Sequence, residues 1–251
     1  MSKIALITGA NRGLGRNSAL ALAEDGVDLI LTYRSNEAEA AEVLEAVRKL
    51  GRTAVAFRLD VGALDTHQAF ADDVRRALRD QWGRDTFDFL VNNAGVGIYA
   101  SIADTTVAQF DELLDVHLRG AFFLTQTLLP LLADGGRILN LSTGLARFTK
   151  PGYAAYALMK GAVEVFTRYL AAELGPRRIT VNTLAPGVVA TDFAGGAVRD
   201  TPAIQEALAT EIALGRVGQP DDIGGVVAAL LEGRTGFITG QRVEASGGTL
   251  L

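Results

Sequence analysis

The sequence contains no cysteine and, among 251 residues, only two histidines, one tryptophan and six prolines. Without cysteine, the chain forms no disulfide, iron–sulfur cluster or catalytic thiolate. The two histidines lie far apart without a set of clustered carboxylates, so no metal site is expected. Basic residues are also scarce. The net charge of −5 gives no reason to expect a surface for nucleic acid or for an anionic membrane.

Long hydrophobic runs are missing as well. No apolar run is long enough to span a bilayer, and the first ten residues, MSKIALITGA, lack the apolar region and cleavage site of a signal peptide. We therefore expect a cytoplasmic protein. Apolar residues make up 49% of the chain and charged residues 21%, a balance that allows a sizeable globular core.

Short aliphatic or β-branched segments alternate with longer amphipathic ones. Strands are predicted at 4–8, 28–33, 53–58, 88–92, 137–142, 179–185 and 241–245. Helices are predicted at 14–25, 37–50, 66–81, 107–132, 153–174 and 221–232. Apolar strands separated by helices predict an α/β fold with a Rossmann-type, doubly wound parallel sheet of about seven strands, covered by helices on both faces.

One segment, 186–220, interrupts this pattern with glycines, charges, Pro202 and a weaker helical periodicity. We expect it to contribute a substrate lid at about 188–214. No linker, low-complexity tract or repeat divides the chain, so one dinucleotide-binding oxidoreductase domain is predicted over 1–251.

A glycine-rich loop follows the first predicted strand. Gly9, Gly13 and Gly15 form the pattern G-x-x-x-G-x-G, a variant spacing of the dinucleotide fingerprint. Such glycines allow a tight turn and a close approach of backbone to a pyrophosphate, while the helix N-terminus attracts the anion. Because a strand precedes the loop and a helix follows it, we predict dinucleotide binding here. Asn11 and Leu14 lie in the same loop.

The end of the second strand indicates which dinucleotide is bound. NAD sites usually carry an acidic residue there for the ribose 2′-hydroxyl, whereas an arginine accommodates a 2′-phosphate. Here Tyr33 is followed by Arg34, and Arg12 of the glycine loop lies at the same end of the site. The pattern favours NADP(H) over NAD(H).

A tyrosine and a lysine four residues apart, in YALMK, suggest the chemistry. Side chains at this spacing lie on one face of a helix, so Tyr156 and Lys160 point the same way. A phenol with a pKa near 10 is a poor acid or base at neutral pH, and a nearby ammonium is expected to lower that pKa.

Together these motifs resemble those of the short-chain dehydrogenase/reductase family over essentially the whole chain. The matching segments are TGANRGLG (8–15), LDV (59–61), NNAG (92–95), YALMK (156–160), APGVVAT (185–191), GRVGQPDDIGGVVAALL (215–231) and GFITGQRVEASGG (236–248). The resemblance implies an NADP(H)-dependent enzyme that interconverts a ketone or aldehyde and an alcohol by hydride transfer, as in 3-oxoacyl-carrier-protein reductases and other carbonyl reductases.

The resemblance also implies further cofactor contacts, at the adenine, the ribose and the nicotinamide. The residues concerned are Asp60, Val61, Asn92, Ala94, Gly95, Pro186, Gly187, Val189 and Thr191. Lys160 would hold the nicotinamide ribose, and Tyr156 would give its proton to the substrate carbonyl oxygen.

A third catalytic hydroxyl is expected thirteen residues before the tyrosine, where the family usually has a serine. That count reaches Thr143, which we favour, and its neighbour Ser142 is the alternative. The family usually has asparagine where His117 stands. Two interpretations of His117 stay open: a structural histidine, or a member of a proton relay that titrates near pH 6.5. His67 is expected to be inert at the start of a surface helix.

The expected substrate is a modest hydrophobic ketone or its alcohol, held by mostly apolar residues after NNAG, in LARF (145–148), at Tyr153 and in the lid. Helices 107–132 and 153–174 are apolar on more than one face, which, with the family's habit of pairing them, predicts a homotetramer or homodimer. Two alternatives stay open: a catalytically silent dinucleotide-binding regulator or scaffold, and a family enzyme that performs elimination or epimerisation.

Overall fold

A parallel sheet of seven strands lies at the centre of the structure, a computed structural model that describes residues 2–251 apart from the side chain of Ala194. Met1 and that side chain, which fall within the predicted domain and lid, lie outside the described part. The strand order is β3-β2-β1-β4-β5-β6-β7. The strands are β1 (Ile4–Ile7), β2 (Asp28–Tyr33), β3 (Ala54–Arg58), β4 (Phe87–Asn92), β5 (Leu132–Leu141), β6 (Thr180–Pro186) and β7 (Arg242–Ala245).

Helices cover both faces of this sheet. The longer helices are α1 (Gly13–Glu24), α2 (Glu37–Lys49), α3 (His67–Trp82), α4 (Val107–Leu114), α5 (Ala121–Leu128), α6 (Ala154–Leu174), α7 (Ala197–Asp200), α8 (Pro202–Ala209) and α9 (Pro220–Leu231). Apolar residues of α1, α2 and α9 form the core on one face, and those of α3, α5 and α6 form it on the other. The predicted doubly wound α/β fold is confirmed.

The helix predicted over 107–132 is interrupted. A π-helical turn, Asp115–Gly120, separates α4 from α5, and a 3₁₀ turn containing Pro130 ends α5. A side chain at Gly120 would begin 2.5 Å from the carbonyl oxygen of Val61, so the helix passes this loop only at a glycine. The interruption is a tertiary effect, because π turns arise where packing overrides the regular helical period.

Parallel pairing brings the carboxyl ends of all seven strands to one edge of the sheet. Strands β2 and β3 lie on one side of β1, and strands β4 to β7 lie on the other, so the strand order reverses direction at β1. Ligands of such folds bind in the crevice at this switch point. Within residues 2–251, no helix is long and apolar enough to cross a membrane.

Candidate active site

The glycine-rich loop connects β1 to α1 at this crevice. Gly9 and Gly13 adopt φ of +63° and +55°, a left-handed conformation that favours glycine. A side chain at Gly15 would begin 2.3 Å from the carbonyl oxygen of Gly9. The loop therefore presents bare backbone at the start of α1, which is the cradle that a dinucleotide pyrophosphate requires. Leu14 lies half-buried against the core on this face.

The loop after β4 fastens the glycine loop in place. The Thr8 hydroxyl accepts hydrogen bonds from the backbone nitrogens of Asn93 and Ala94, both at 3.0 Å. The Asn93 amide in turn donates to the carbonyl oxygens of Thr8 (2.8 Å) and Gly9 (3.0 Å). Sequence reasoning missed Asn93, although it is the second asparagine of NNAG.

Asn92, the first asparagine of that motif, contacts β5 and α5. Its side chain is buried and donates to the Thr125 hydroxyl (2.9 Å) and the Asn140 carbonyl oxygen (2.8 Å). Because strand residues alternate between faces, two adjacent asparagines cannot both face the glycine loop. Asn92 joins β4 to β5 and α5, whereas Asn93 holds the glycine loop.

Three arginines surround the expected adenosine end. Arg12 at the start of α1, Arg34 after β2 and Arg58 at the end of β3 are all exposed, and Arg58 Nε donates to the carbonyl oxygen of Arg34 at 3.2 Å. Sequence reasoning missed Arg58, which the register pairs with Tyr33. The three charges fit a 2′-phosphate.

The other residues predicted to contact the cofactor lie around the expected adenosine end. The Asn11 amide donates to the carboxylate of Glu39 at 2.6 Å, which ties the glycine loop to α2. Asp60 is exposed after β3 and its carboxylate accepts from the backbone nitrogen of Gly62 at 3.0 Å, while Val61 is buried beside it.

The segment after β6 closes the opposite side of the crevice. Pro186 ends β6, and a side chain at Gly187 would begin 2.7 Å from the Ser246 backbone. Val189 forms an isolated bridge to Gly218. Thr191 is buried, with its Cβ 3.9 Å from the position where a side chain on Gly13 would begin.

Tyr156 and Lys160 lie together on the inner face of α6. Both are buried, and the ammonium of Lys160 lies 5.8 Å from the centre of the Tyr156 ring. The ammonium donates to the carbonyl oxygen of Leu141, at the end of β5, at 2.7 Å. Tyr156 and Lys160 therefore lie on the same face of α6, as their spacing predicts, and this face is turned towards the crevice.

The expectation that the pKa of Tyr156 is lowered is wrong. Burial raises the pKa of this phenol above its ordinary value, and the hydrogen bond with Thr143 offsets only part of that effect. Burial also lowers the pKa of Lys160 to about 8. Desolvation dominates because both groups lie away from water.

The two adjacent hydroxyls after β5 point in different directions. The Thr143 hydroxyl lies close enough to the Tyr156 phenol to oppose the rise in its pKa, and it accepts a hydrogen bond from the backbone nitrogen of Leu145 at 3.3 Å. The Ser142 hydroxyl instead donates to the Glu164 carboxylate (2.7 Å) and the Lys160 carbonyl oxygen (3.3 Å). Only Thr143 faces the phenol, which is the arrangement the count of thirteen residues favours.

His117 lies in the π-helical turn and packs edge-on against Tyr156, with ring centres 5.2 Å apart. Its Nε2 lies 2.7 Å from the carbonyl oxygen and 3.2 Å from the nitrogen of Val96. A side chain at Gly95 would begin 2.7 Å from its ring. His117 therefore anchors the loop after NNAG, and its Nδ1 has no hydrogen-bond partner among the described residues.

The expected titration of His117 near pH 6.5 is corrected. Burial, reinforced by the charge of Lys160 and opposed by the hydrogen bond with Val96, lowers the pKa of His117 to about 3. The imidazole is neutral across the physiological range. His67 also departs from its prediction, because it is buried and its Nε2 lies 3.0 Å from the Val61 carbonyl oxygen.

We expect His117→Asn to leave the pH–rate profile unchanged between pH 5.5 and 9, because the imidazole does not ionise there. Stability should respond instead. A histidine whose pKa falls on folding is protonated more in the unfolded state, so its stabilising effect is lost as pH falls from 6.5 towards 3. Between pH 7 and 5 the wild type should lose about 2 kcal/mol of unfolding free energy that the variant keeps.

Urea titrations at both pH values test this, with His67→Gln as the matched buried-histidine control. An inflection near pH 6.5 in the rate profile of the wild type that His117→Asn abolishes would contradict the structural assignment.

Aromatic side chains line the open side of Tyr156. The rings of Tyr153 and Phe193 lie 6.5 Å and 5.6 Å from the Tyr156 ring, and Tyr99 packs edge-on against Tyr153 at 5.4 Å. Val96, Ile98 and Leu145 complete the apolar wall. Tyr99 and Phe193 are partly exposed, so the rings form the wall of an open cleft.

The fold and the site define a dinucleotide-binding oxidoreductase, and the comparisons agree. Residues 9–249 match a family model described as enoyl-(acyl carrier protein) reductase. The chain is 35% identical over 257 residues to the tetrahydroxynaphthalene reductase PfmaG of Pestalotiopsis fici, covering 98% of this chain and 91% of that protein.

Solved structures place the chain in the same group. The promiscuous reductase LugOII, which catalyses keto-reduction at C1 during lugdunomycin biosynthesis, superimposes with a TM-score of 0.94 at 39% identity, covering 99% of this chain and 98% of the other. The angucycline C-6 ketoreductase LanV with bound NADP has a TM-score of 0.93 at 37% identity, covering 99% and 95%. The chain belongs to the short-chain dehydrogenase/reductase family.

Proposed function

We propose that the chain catalyses NADP(H)-dependent reduction of a ketone to an alcohol, with Tyr156 as proton donor. One observation carries this proposal. A buried phenol, close to Thr143 and one helical turn from the buried Lys160, faces a crevice whose other end carries the bare glycine loop. All three relatives are named as reductases, LugOII and LanV act on keto groups, and LanV is solved with bound NADP; none of them supports a silent scaffold.

The cleft fits a phosphorylated dinucleotide. Gly9 and Gly13 hold the loop before α1 in a left-handed conformation, and Arg12, Arg34 and Arg58 supply positive charge at the 2′-phosphate end. When bound, NADPH supplies the hydride for the carbonyl carbon. The chain's own residues bind, orient and protonate: Thr143 and Tyr156 hold the carbonyl oxygen, and Tyr156 gives it a proton.

The protonation state favours reduction. Because burial raises the pKa of Tyr156, the phenol keeps its proton at neutral pH and is ready to donate it. Lys160, with a pKa of about 8, is mostly charged at pH 7 and stabilises the phenolate left after donation.

Substitutions at the two hydroxyls test these roles. We expect Thr143→Val to lower kcat by about 10²-fold, because the carbonyl oxygen loses one of its two hydrogen-bond donors. Ser142→Ala should cost less than tenfold, since Ser142 contacts Glu164 and the Lys160 backbone rather than the phenol. Steady-state kinetics of the two variants measure these losses, and unchanged melting temperatures show that both variants are folded. If Thr143→Val keeps turnover while Ser142→Ala abolishes it, the assignment is reversed.

The substrate is proposed to be a flat, aromatic ketone. Tyr99, Tyr153 and Phe193 present ring faces and edges around Tyr156, and aromatic groups stack on such surfaces with a preference of about 0.5–1.5 kcal/mol per pair. The name of the relative PfmaG, a tetrahydroxynaphthalene reductase, supports this substrate class.

The test is NADPH consumption with a panel of ketones. Bicyclic aryl ketones such as 1-tetralone should give kcat/KM at least tenfold above that of cyclohexanone, and Phe193→Ala should reduce this preference while leaving cyclohexanone turnover nearly unchanged. Equal activity on both ketones would refute the aromatic preference, and silence on all ketones with NADPH and NADH would refute the function.

Carrier-bound thioesters are a second candidate class, since the family model carries an acyl-carrier description. The geometry favours it less. An acidic carrier would need a basic docking surface, but Arg177 is paired with Asp134 at 2.7 Å. It precedes β6, at the edge of the sheet opposite the crevice. A panel containing a 3-oxoacyl thioester compares the two classes directly.

The chain is further proposed to be a cytoplasmic homotetramer or homodimer. Apolar residues of α4, α5 and α6 lie exposed on neighbouring helices, beside an apolar groove of about 360 Å³. They are Val107, Phe110, Phe122, Phe123, Leu158, Val165 and Tyr169. An apolar patch of this kind marks an association surface. A monomer mass by light scattering at micromolar concentration would refute the proposal.

A further inference from the structure

One guanidinium lies directly behind the candidate catalytic hydroxyl. Arg242, the first residue of β7, uses its three nitrogens on three different acceptors. Nε donates to the Glu164 carboxylate (2.7 Å), Nη1 to the Glu244 carboxylate (2.7 Å) and Nη2 to the backbone carbonyl oxygen of Thr143 (3.1 Å). The side chain is largely buried, so these are not freely solvated surface contacts.

The same guanidinium also holds the residue before Thr143. The Glu164 oxygen that accepts from Arg242 also accepts from the Ser142 hydroxyl at 2.7 Å. Ser142 and Thr143, the strand-end pair, are therefore both tied to Arg242, one through its backbone and the other through Glu164. The pair immediately follows β5, and the backbone nitrogen of Ser142 still donates to the Leu184 carbonyl oxygen of β6 at 2.7 Å.

Further hydrogen bonds hold Glu244 in place. Glu244 also accepts from Arg147, at 2.8 Å on each oxygen, and from the Ser246 hydroxyl at 2.7 Å. Burial opposes ionisation of this carboxyl, but the donors outweigh it and lower the pKa of Glu244 to about 2. Glu244 therefore stays ionised over any pH at which the protein would be assayed.

We propose that Arg242 is a positioning residue, which aims the Thr143 hydroxyl at Tyr156 by clamping the strand-end pair to Glu164 and Glu244. The inference rests on the proposed function of the Thr143–Tyr156 pair, and it adds a residue that touches neither substrate nor cofactor. Its chemical basis is the planar fork of arginine, which can satisfy three acceptors at once in fixed directions.

The substitution Arg242→Lys distinguishes a positioning role of Arg242 from an effect of its charge alone. The lysine ammonium keeps the positive charge beside Glu164 and Glu244, but a single flexible nitrogen cannot reproduce the three directed contacts. A misplacement of about 1 Å at a reacting group can cost about 10²-fold. We therefore expect Arg242→Lys to lower kcat about 10- to 100-fold while KM for NADPH changes less than threefold.

The matched control is Arg137→Lys. Arg137 is also a largely buried arginine on a strand, and it donates to Thr180, Thr235 and the Gly233 carbonyl, but it pairs with Thr180 at the amino end of β6, away from the crevice. It should change the melting temperature more than kcat. An equal loss of kcat in both lysine variants would overturn the proposal, since the effect would then be general.

A double-mutant cycle shows whether Arg242 acts through Thr143. In a Thr143→Val background, where the hydroxyl is gone, Arg242→Lys should cost less than threefold in kcat. A full 10- to 100-fold loss in that background would mean that Arg242 acts by another route. If Arg242→Lys does not fold, Glu164→Gln, which keeps the acceptor but removes one charge, should show a smaller effect in the same direction.

Hydrogen exchange supplies a readout that needs no turnover. Peptides covering 141–148 should exchange faster in Arg242→Lys than in the wild type, and no faster in Arg137→Lys. If no ketone is reduced yet this local loosening appears, the clamp stands and the proposed function fails. If exchange in this segment is unchanged, the clamp itself is refuted, whatever the kinetics show.

Discussion

Replacing Tyr156 by phenylalanine should lower kcat for ketone reduction by about 10²–10⁴-fold, the range typical for loss of a positioned proton donor. The substitution removes only the hydroxyl. The ring keeps its packing against His117, Tyr153 and Phe193, so the fold and NADPH affinity should be preserved. Rapid mixing of the variant with NADPH and an aryl ketone measures the loss in the chemical step.

Tyr169→Phe is the matched control for that experiment. Tyr169 lies on the same helix, α6, but two-thirds of it is exposed. Its hydroxyl should contribute nothing to kcat. A Tyr156→Phe variant that retains more than a tenth of wild-type turnover, with an intact fold, would show that another group delivers the proton.

Reversing the charge at Arg34 should reverse the cofactor preference. The 2′-phosphate distinguishes NADPH from NADH, and each arginine–phosphate contact is a charge-assisted hydrogen bond. We expect Arg34→Asp to lower kcat/KM for NADPH by about 10²-fold, because repulsion replaces attraction. The same change should raise kcat/KM for NADH, since a carboxylate can accept from the ribose 2′-hydroxyl.

The preference should also depend on salt. Arg12, Arg34 and Arg58 are exposed, so raising the ionic strength from 0.05 to about 0.5 M should weaken NADPH binding more than NADH binding. Arg48→Asp, an exposed arginine in the last turn of α2, is the control for charge alone. If Arg34→Asp lowers activity equally with both cofactors, the arginine does not contact the 2′-phosphate.

Local patterns explain why much of the fold was predictable. Each strand is a run of apolar residues between turn-forming residues, and all seven predicted strands are present within one or two residues, except that β5 begins earlier, at Leu132. The glycine loop and the spacing of Tyr156 and Lys160 are also local, because a turn or a helical face is decided within a few residues.

The interrupted helix was not predictable for the opposite reason. Residues 115–120 carry an ordinary helical pattern, yet they form a π turn that packs at Gly120 against the Val61 carbonyl, more than fifty residues earlier in the chain. Similarly, nothing local distinguishes Asn92 from Asn93. Their roles were settled by which face of β4 meets Thr8 and which meets Asn140.

The sequence by itself determined the class of fold, the dinucleotide loop and the tyrosine–lysine pair, since these depend on residues close together in the chain. Tertiary structure alone decided that the Ser142 hydroxyl turns to Glu164, that burial lowers the pKa of His117, and that Arg242 contacts the Thr143 carbonyl oxygen. Directions of side chains and pKa values depend on burial and on partners brought from distant segments, and only the folded sheet brings those partners together.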